Sequence, residues 1–123
     1  MLPRITLLAL AVVMSIFGCD GGNSVECRQR GAALSKRVEE LKQKAQAALK
    51  IGSSKAEVSR FYKENDIPLD FDQFGATGTI RTSGCSPFGC GSNDAIIGVR
   101  VELDREAKVK KEPHVMAMYT DCL

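Results

Sequence analysis

One helix ends and another begins within Gly52-Ser53-Ser54-Lys55-Ala56-Glu57-Val58. Ser54 followed by Glu57 is a capping box, so a second helix is predicted from this point until Asn65 and Pro68 end it. Before the junction, apolar residues recur at alternating steps of four and three, which indicates a helix with one buried stripe. The stripe consists of Cys27, Gly31, Leu34, Val38, Leu41, Ala45 and Ala48.

Beyond the second helix, the pattern changes to alternation of apolar and polar residues, which is typical of half-buried strands. It covers residues 77–83, 95–103 and 109–119. Residues 67–72 also alternate, but Pro68 confines that segment to the edge of a sheet. Two helices followed by three strands predict an α+β domain, with both helices packed on one face of a three-stranded antiparallel meander.

The first residues have the pattern of an export signal. Arg4 precedes an uncharged run, Ile5 to Phe17, which is too short to span a hydrocarbon layer of about 30 Å. The run ends in Ile16-Phe17-Gly18-Cys19, which resembles the lipobox of bacterial lipoproteins. The resemblance implies a signal peptide over residues 1–18, lipid (including palmitate) on Cys19, a short tether over 19–24 and one folded domain over 25–123.

A lipid on Cys19 implies a protein of the bacterial cell envelope that is anchored in a membrane and faces the periplasm. Several acyl chains are needed for stable anchoring, and lipoproteins of this class carry two or three. Asp20 resembles the residue that retains enteric lipoproteins in the inner membrane, but this rule differs between lineages. The choice between inner and outer membrane therefore stays open.

Five cysteines are an awkward number for an exported protein. Assigning Cys19 to the lipid leaves four, which suits two disulfides in an oxidising compartment. Three pairings of four cysteines exist. We expect Cys85–Cys90, closed by the turn between them, and Cys27–Cys122, because Cys27 lies on the stripe that faces the sheet.

The helix junction also resembles a known family. Small envelope lipoproteins of the BamE/SmpA type begin their second helix with Gly, one residue, Ser or Thr, and then Val four positions on. Gly52, Ser54 and Val58 match this pattern. The resemblance implies the helix–helix–sheet order of that fold and carries no function to this chain.

Composition and motifs give no support to an enzyme. The chain has 123 residues with a formal net charge of +2, which gives no general reason to expect nucleic acid. The cysteines lack the close pairs of a zinc site, and the acidic residues after position 65 lack the spacing of a calcium loop. The single histidine, His114, has no motif of nucleophilic catalysis around it. We therefore expect no catalytic residues, no metal, no cofactor and no small-molecule substrate.

The segment from Gly84 to Ser92 is the element most suited to contact with a protein. We expect an exposed β-turn there with Pro87 at its second position and Phe88 at its third. A large apolar side chain on a stiff loop is a plausible anchor at an interface. Alternatively, the Phe88 ring folds back onto the sheet. The competing surface is the first helix, since residues 25–50 carry seven basic and three acidic side chains and would favour anionic headgroups or an acidic partner.

Two classes of function agree with these features. The first is a non-catalytic, membrane-anchored envelope lipoprotein that acts as a protein-interaction or structural module. The second is a periplasmic inhibitor or immunity protein that blocks a hydrolase with the loop around Phe88.

Overall fold

The computed structural model describes residues 24–122 and shows an α+β fold in which two helices precede one antiparallel sheet. The sheet has four strands rather than the predicted three, in the order β1-β2-β3-β4. The elements are α1 (Val25–Ala48), α2 (Lys55–Glu64), β1 (Asp70–Asp72), β2 (Gly75–Ser83), β3 (Asp94–Glu102) and β4 (His114–Tyr119).

The additional strand, β1, is the short edge segment next to β2. Its residues pair from Asp70 opposite Thr77 to Asp72 opposite Gly75. The Asp72 carboxylate closes the turn, since Oδ1 accepts the backbone N–H groups of Phe74 at 2.7 Å and Gly75 at 2.9 Å. This side-chain turn gives three mostly exposed residues a strand conformation that their hydrophobicity pattern does not require.

Helix α1 buries the predicted stripe against the sheet. Ser24 caps its start, with Oγ accepting the Cys27 N–H at 3.1 Å. Cys27, Leu34, Leu41 and Ala45 are buried. At the other end of the stripe Ala48 is exposed, and Leu49, which is 2% exposed, occupies the buried position that was predicted for Ala48.

Helix α2 begins with the predicted capping box. Ser54 N–H donates to Glu57 Oε2 at 2.7 Å, and Glu57 N–H donates to Ser54 Oγ at 3.2 Å. The helix buries Val58, Phe61 and Tyr62 in the same core as the stripe of α1. The confirmed junction thus turns the chain so that both helices contribute to one layer above the sheet.

Only one face of the sheet is covered by this layer. The covered face contributes Ala76, Ala95, Ile97, Val99, Val101 and Val115 to the core. Because successive side chains of a strand point to opposite faces, the residues between them form a second face. We call this the open face; it includes Thr79, Arg81, Ile96, Arg100, Met116 and Met118.

Candidate functional site

The Phe88 loop, which we define as residues 84–92, connects β2 to β3 and contains both predicted contact residues. Pro87 is exposed, and Phe88 has a relative exposure of 109%, the highest among the large exposed hydrophobic residues. The phenyl ring therefore does not fold back onto the sheet. Cys19, the predicted lipidation site, lies outside the described residues.

The disulfides correct the pairing that we expected from the sequence. Cys27 pairs with Cys85, and Cys90 pairs with Cys122; neither Cys85–Cys90 nor Cys27–Cys122 is formed. The loop does not close on itself, because its two ends attach to different elements. Its first cysteine reaches the start of α1, and its second pairs with the chain that follows β4.

Small residues allow the first of these attachments. A Cβ on Gly31, one turn after Cys27, would lie 3.2 Å from the Cβ of Cys85, so glycine leaves the room that the loop needs beside α1. Gly84 lies directly against Leu34 and Tyr119, where a Cβ would be 2.7 Å from Leu34 Cδ2 and from Tyr119 Oη. The close approach of loop and helix thus depends on two glycines, whose significance the sequence alone did not reveal.

Hydrogen bonds hold the base of the Phe88 loop in one conformation. Tyr119 Oη donates to the carbonyl oxygen of Cys85 at 2.7 Å. The Asn93 side-chain oxygen accepts both the backbone N–H of Ser86 at 3.0 Å and its hydroxyl at 2.9 Å. On the other side, Gly91 N–H donates to the carbonyl oxygen of Asp121 at 2.6 Å. The exposed tip thus projects from a base fixed on both flanks.

The turn at the tip lies one residue later than predicted. Cys90 N–H donates to the Pro87 carbonyl oxygen at 3.4 Å, so Phe88 and Gly89 are the two central residues and Pro87 is the first. Gly89 has φ +97°. A glycine with positive φ at the third position is characteristic of a type II turn, which explains the shift, since no other residue of the tip adopts this conformation easily.

The residues that the sequence analysis considered for metal binding and catalysis lie in separate elements of the fold. Within residues 24–122, no cluster of three or more His, Cys, Asp or Glu side chains could hold a metal ion. His114 is exposed on β4, with Nε2 3.3 Å from the Met116 sulfur. Of the acidic residues after position 65, Asp72 accepts a backbone hydrogen bond within the β1–β2 turn. Asp66 has a left-handed backbone conformation, with φ +54°.

Tyr62 is the titratable group with the most perturbed environment. Its hydroxyl lies in the core, 3.0 Å from the Val99 carbonyl oxygen, to which it donates, and 3.3 Å from that of Ala76. Burial raises the pKa of this hydroxyl well above its usual range, although the positive charge of Arg100 acts in the opposite direction. Tyr62 therefore stays protonated and links α2 to the sheet, a structural role.

The basic surface of α1 is solvated. The Lys36 and Glu40 side chains approach to 3.9 Å and are 78% and 60% exposed, so this ion pair contributes little. Arg37 Nη1 donates to Thr82 Oγ1 at 3.4 Å. Arg28 and Arg30 are exposed near the start of α1, at the same end of the molecule as the Phe88 loop.

The structure adds exposed apolar groups that sequence reasoning did not select. Phe74, in the β1–β2 turn, is 57% exposed and borders an open depression together with Leu103 and several charged side chains. On the open face, Met116 and Met118 are 41% and 44% exposed. The alternation of residues 114–119 could have signalled the methionines, since it placed both on the face opposite Val115.

Over residues 24–122, no helix has the length and apolar character needed to cross a membrane. Comparison with known proteins found no matching family, no matching curated protein and no matching solved structure.

Proposed function

We propose that this protein is a non-catalytic lipoprotein of the bacterial cell envelope, anchored through Cys19, that works by contact with a protein partner through the Phe88 loop. The observation that carries the proposal is the fully exposed Phe88 ring on a turn whose two flanks are covalently tied to the rest of the domain. Covering the exposed ring by a partner would contribute about 25 cal/mol of free energy for each Å² of apolar surface buried.

The rigidity of the loop favours a role in binding. A preformed loop loses little conformational entropy when it associates, so more of its apolar contact energy contributes to affinity. Cys85 is fixed to α1, Cys90 is fixed beyond β4, and Asn93 holds Ser86 in place. Aromatic residues in such positions are frequent hot spots of protein interfaces.

The position of the loop relative to the anchor favours a partner at the membrane. Cys27 is eight residues from Cys19, and its Cα lies 4.8 Å from that of Cys85. A fully extended chain covers at most about 3.6 Å per residue, so residues 19–24 span only about 20 Å. The Phe88 loop is therefore held near the lipid surface, where the partner would be a membrane protein or a protein bound to one.

Capture of the partner by the tagged full-length protein, cross-linked in native membranes, tests this proposal. Phe88→Ala should reduce the captured partner at least about tenfold, as expected for the loss of an aromatic hot spot. Phe74→Ala is the matched control: it removes an exposed phenylalanine in the β1–β2 turn, away from both disulfides, and should leave capture unchanged.

Ionic strength separates this surface from the basic surface of α1. Contact through Phe88 should persist as salt rises, whereas contact through the lysines and arginines should weaken because their charges are screened. Capture that survives Phe88→Ala but is abolished by charge reversal at Lys36, Arg37 and Lys44 would assign the contact to α1 and contradict the proposal.

A blocking role remains the second candidate, favoured by the shape of the same loop. An apolar tip projecting between two fixed flanks could enter the cleft of a periplasmic hydrolase. The identity of the captured partner discriminates between the two functions: a hydrolase whose activity falls on addition of the purified protein, but not of its Phe88→Ala variant, would establish inhibition.

A further inference from the structure

Strand β4 forms one edge of the sheet, and half of its backbone groups face away from its neighbour. Thr120 N–H donates to the Asp94 carbonyl oxygen at 3.1 Å, so Thr120 and Asp94 form a hydrogen-bonded residue pair. Because such pairs occur at every second residue of an antiparallel ladder, and Ile96 lies opposite Met118, the even-numbered residues of β4 bond to β3. The N–H and C=O groups of Val115, Ala117 and Tyr119 therefore point outward.

No residue between 24 and 122 satisfies these outward backbone groups with a hydrogen bond. Natural edge strands are usually protected by charged side chains, proline, a bulge or a covering segment. Between His114 and Tyr119 there is no Lys, Arg, Asp, Glu or Pro, and the pairing to β3 is continuous. β4 is thus an edge that can accept another strand.

The side chains beside this edge are also suited to burial. Met116 and Met118 are 41% and 44% exposed on the open face, and Ile96 lies opposite Met118 in the register. The exposed groups thus form an apolar strip along the same edge that carries the unpaired backbone groups. A strand added at β4 would cover both at once.

We propose that β4 pairs antiparallel with β4 of a second copy of this chain, with Ala117 opposite the partner's Ala117, to form a continuous sheet across a twofold axis. In this register Val115 lies opposite the partner's Tyr119, and each residue pair with outward groups exchanges two hydrogen bonds. On the open face Met116 lies opposite the partner's Met118. Each edge therefore satisfies the backbone groups of the other.

The charges at the two ends of β4 suit a second copy. The exposed Lys110 and Lys111 precede β4, and the exposed Asp121 follows it. Glu112 reduces the positive charge of the segment that enters the strand, and Lys111 Nζ lies 3.4 Å from Glu102 Oε2. With Ala117 on the axis, Asp121 of one copy lies opposite the partner's Pro113, beside an entry segment of residues 110–112 whose net charge is +1. Within β4 no Lys, Arg, Asp or Glu side chain would lie opposite a residue of the second copy, so no like-charge repulsion opposes pairing.

The geometry is compatible with two anchored chains, although it does not depend on the proposed function. The twofold axis is perpendicular to the sheet, so the α1 helices of both copies lie on the same side of the joined sheet, while their first turns lie at opposite ends of it. A membrane that faces this side can hold both anchors. An interface made mainly of one strand edge buries less than about 1,200 Å² of accessible surface in total, so we expect a reversible dimer.

Sedimentation equilibrium of the full chain, in detergent with micelles in excess, measures this dimer. The wild type should dimerise at protein concentrations of up to about 200 µM, because a small interface gives a weak affinity. Replacing both methionines by lysine, Met116→Lys with Met118→Lys, places like charges opposite each other across the axis. Dimerisation should then weaken at least about tenfold.

A charge-swapped variant tests the register itself. In Met116→Lys with Met118→Glu, each introduced lysine faces an introduced glutamate of the other copy, so this variant should dimerise at least about tenfold more tightly than the double-lysine variant. Both substitutions are on the exposed face, and circular dichroism with disulfide mapping verifies the fold. If the double-lysine variant fails to fold, Ala117→Pro replaces it: this removes an outward N–H that β3 does not use, and should abolish the dimer.

Three results would overturn the proposal. The first is a wild type that remains monomeric over the whole concentration range. The second is a double-lysine variant that dimerises as tightly as the wild type. The third is equal weakening of the double-lysine and charge-swapped variants, which would show that the methionines do not face each other across a twofold axis.

Discussion

At Gly78 the sheet packs closely against the segment after α2. A Cβ at this position would collide with the carbonyl oxygen of Pro68, and would lie 2.6 Å from Ile67 Cγ2 and 2.9 Å from Tyr62 Cε1. The Pro68 oxygen belongs to the backbone, so it cannot rotate away as the end of a flexible side chain could. Glycine at this position allows the buried Tyr62 hydroxyl to reach the sheet.

We therefore predict that Gly78→Ala lowers the free energy of unfolding by about 1–3 kcal/mol, the usual cost of overpacking. Gly98→Ala is the matched control on the adjacent strand. The nearest atom to its Cβ would be the Met116 carbonyl oxygen at 3.9 Å, so the unfolding free energy should change by less than about 0.5 kcal/mol. Denaturant titrations of both variants measure the difference; equal losses would show that Gly78 is not closely packed.

Phe88 shows how far single residues could be predicted. Its exposure was expected as one of two outcomes, because a phenylalanine between proline and glycine either projects from a turn or folds back onto the sheet. The position of the turn was predicted one residue too early. Proline at the second position of a turn and glycine with positive φ at the third compete in Pro87-Phe88-Gly89, and the requirement of glycine prevailed.

Among the elements, the helices could be predicted in full, whereas the shortest strand could be predicted only as an edge segment. The stripe from Cys27 to Ala45 and the capping box of Ser54 and Glu57 are local patterns, each of which determines its own structure. β1 depends instead on pairing with β2: the alternation of residues 67–72 predicted a segment at the sheet edge, but a pattern this short did not establish a fourth strand. The disulfide pairing likewise depends on which elements meet in space, so proximity of Cys85 and Cys90 along the chain was misleading.

Removing one disulfide tests the pairing of the cysteines. A double variant, Cys27→Ser with Cys85→Ser, should remove one disulfide and leave the Cys90–Cys122 bond intact, so titration should detect no free thiol at residues 90 and 122. Closing a loop with a sequence separation of 58 residues stabilises a chain by about 4 kcal/mol in the entropic model. The variant should therefore unfold at a lower denaturant concentration.

The matched control, Cys85→Ser with Cys90→Ser, removes one cysteine from each disulfide and should release Cys27 and Cys122 as thiols. Mapping of non-reduced peptides provides an independent measurement. A Cys85–Cys90 peptide from the wild type would contradict the pairing described above.

The whole molecule has two distinct ends, because α1 extends along the covered face of the sheet. A helix of 24 residues is about 36 Å long. The Phe88 loop and both disulfides lie at the end where α1 begins, while Phe74 lies at the other end, where Leu103 N–H donates to its carbonyl oxygen at 3.0 Å. The proposed anchor at Cys19 precedes α1, and it would hold the first end close to the membrane surface.

This proximity depends on lipid at Cys19, and Cys19→Ser tests the requirement. We expect the variant to lose membrane pelleting or to remain unprocessed, because serine offers no thiol for the lipid and apolar contact by a single Phe88 ring cannot replace two or three acyl chains. Washing wild-type membranes with high salt is the control: the lipid-anchored protein should stay in the pellet, whereas binding through the basic residues of α1 would be screened. Unchanged mature size together with unchanged pelleting of Cys19→Ser would show that the chain reaches the membrane by another route, and the position of the Phe88 loop near the lipid surface would lose its basis.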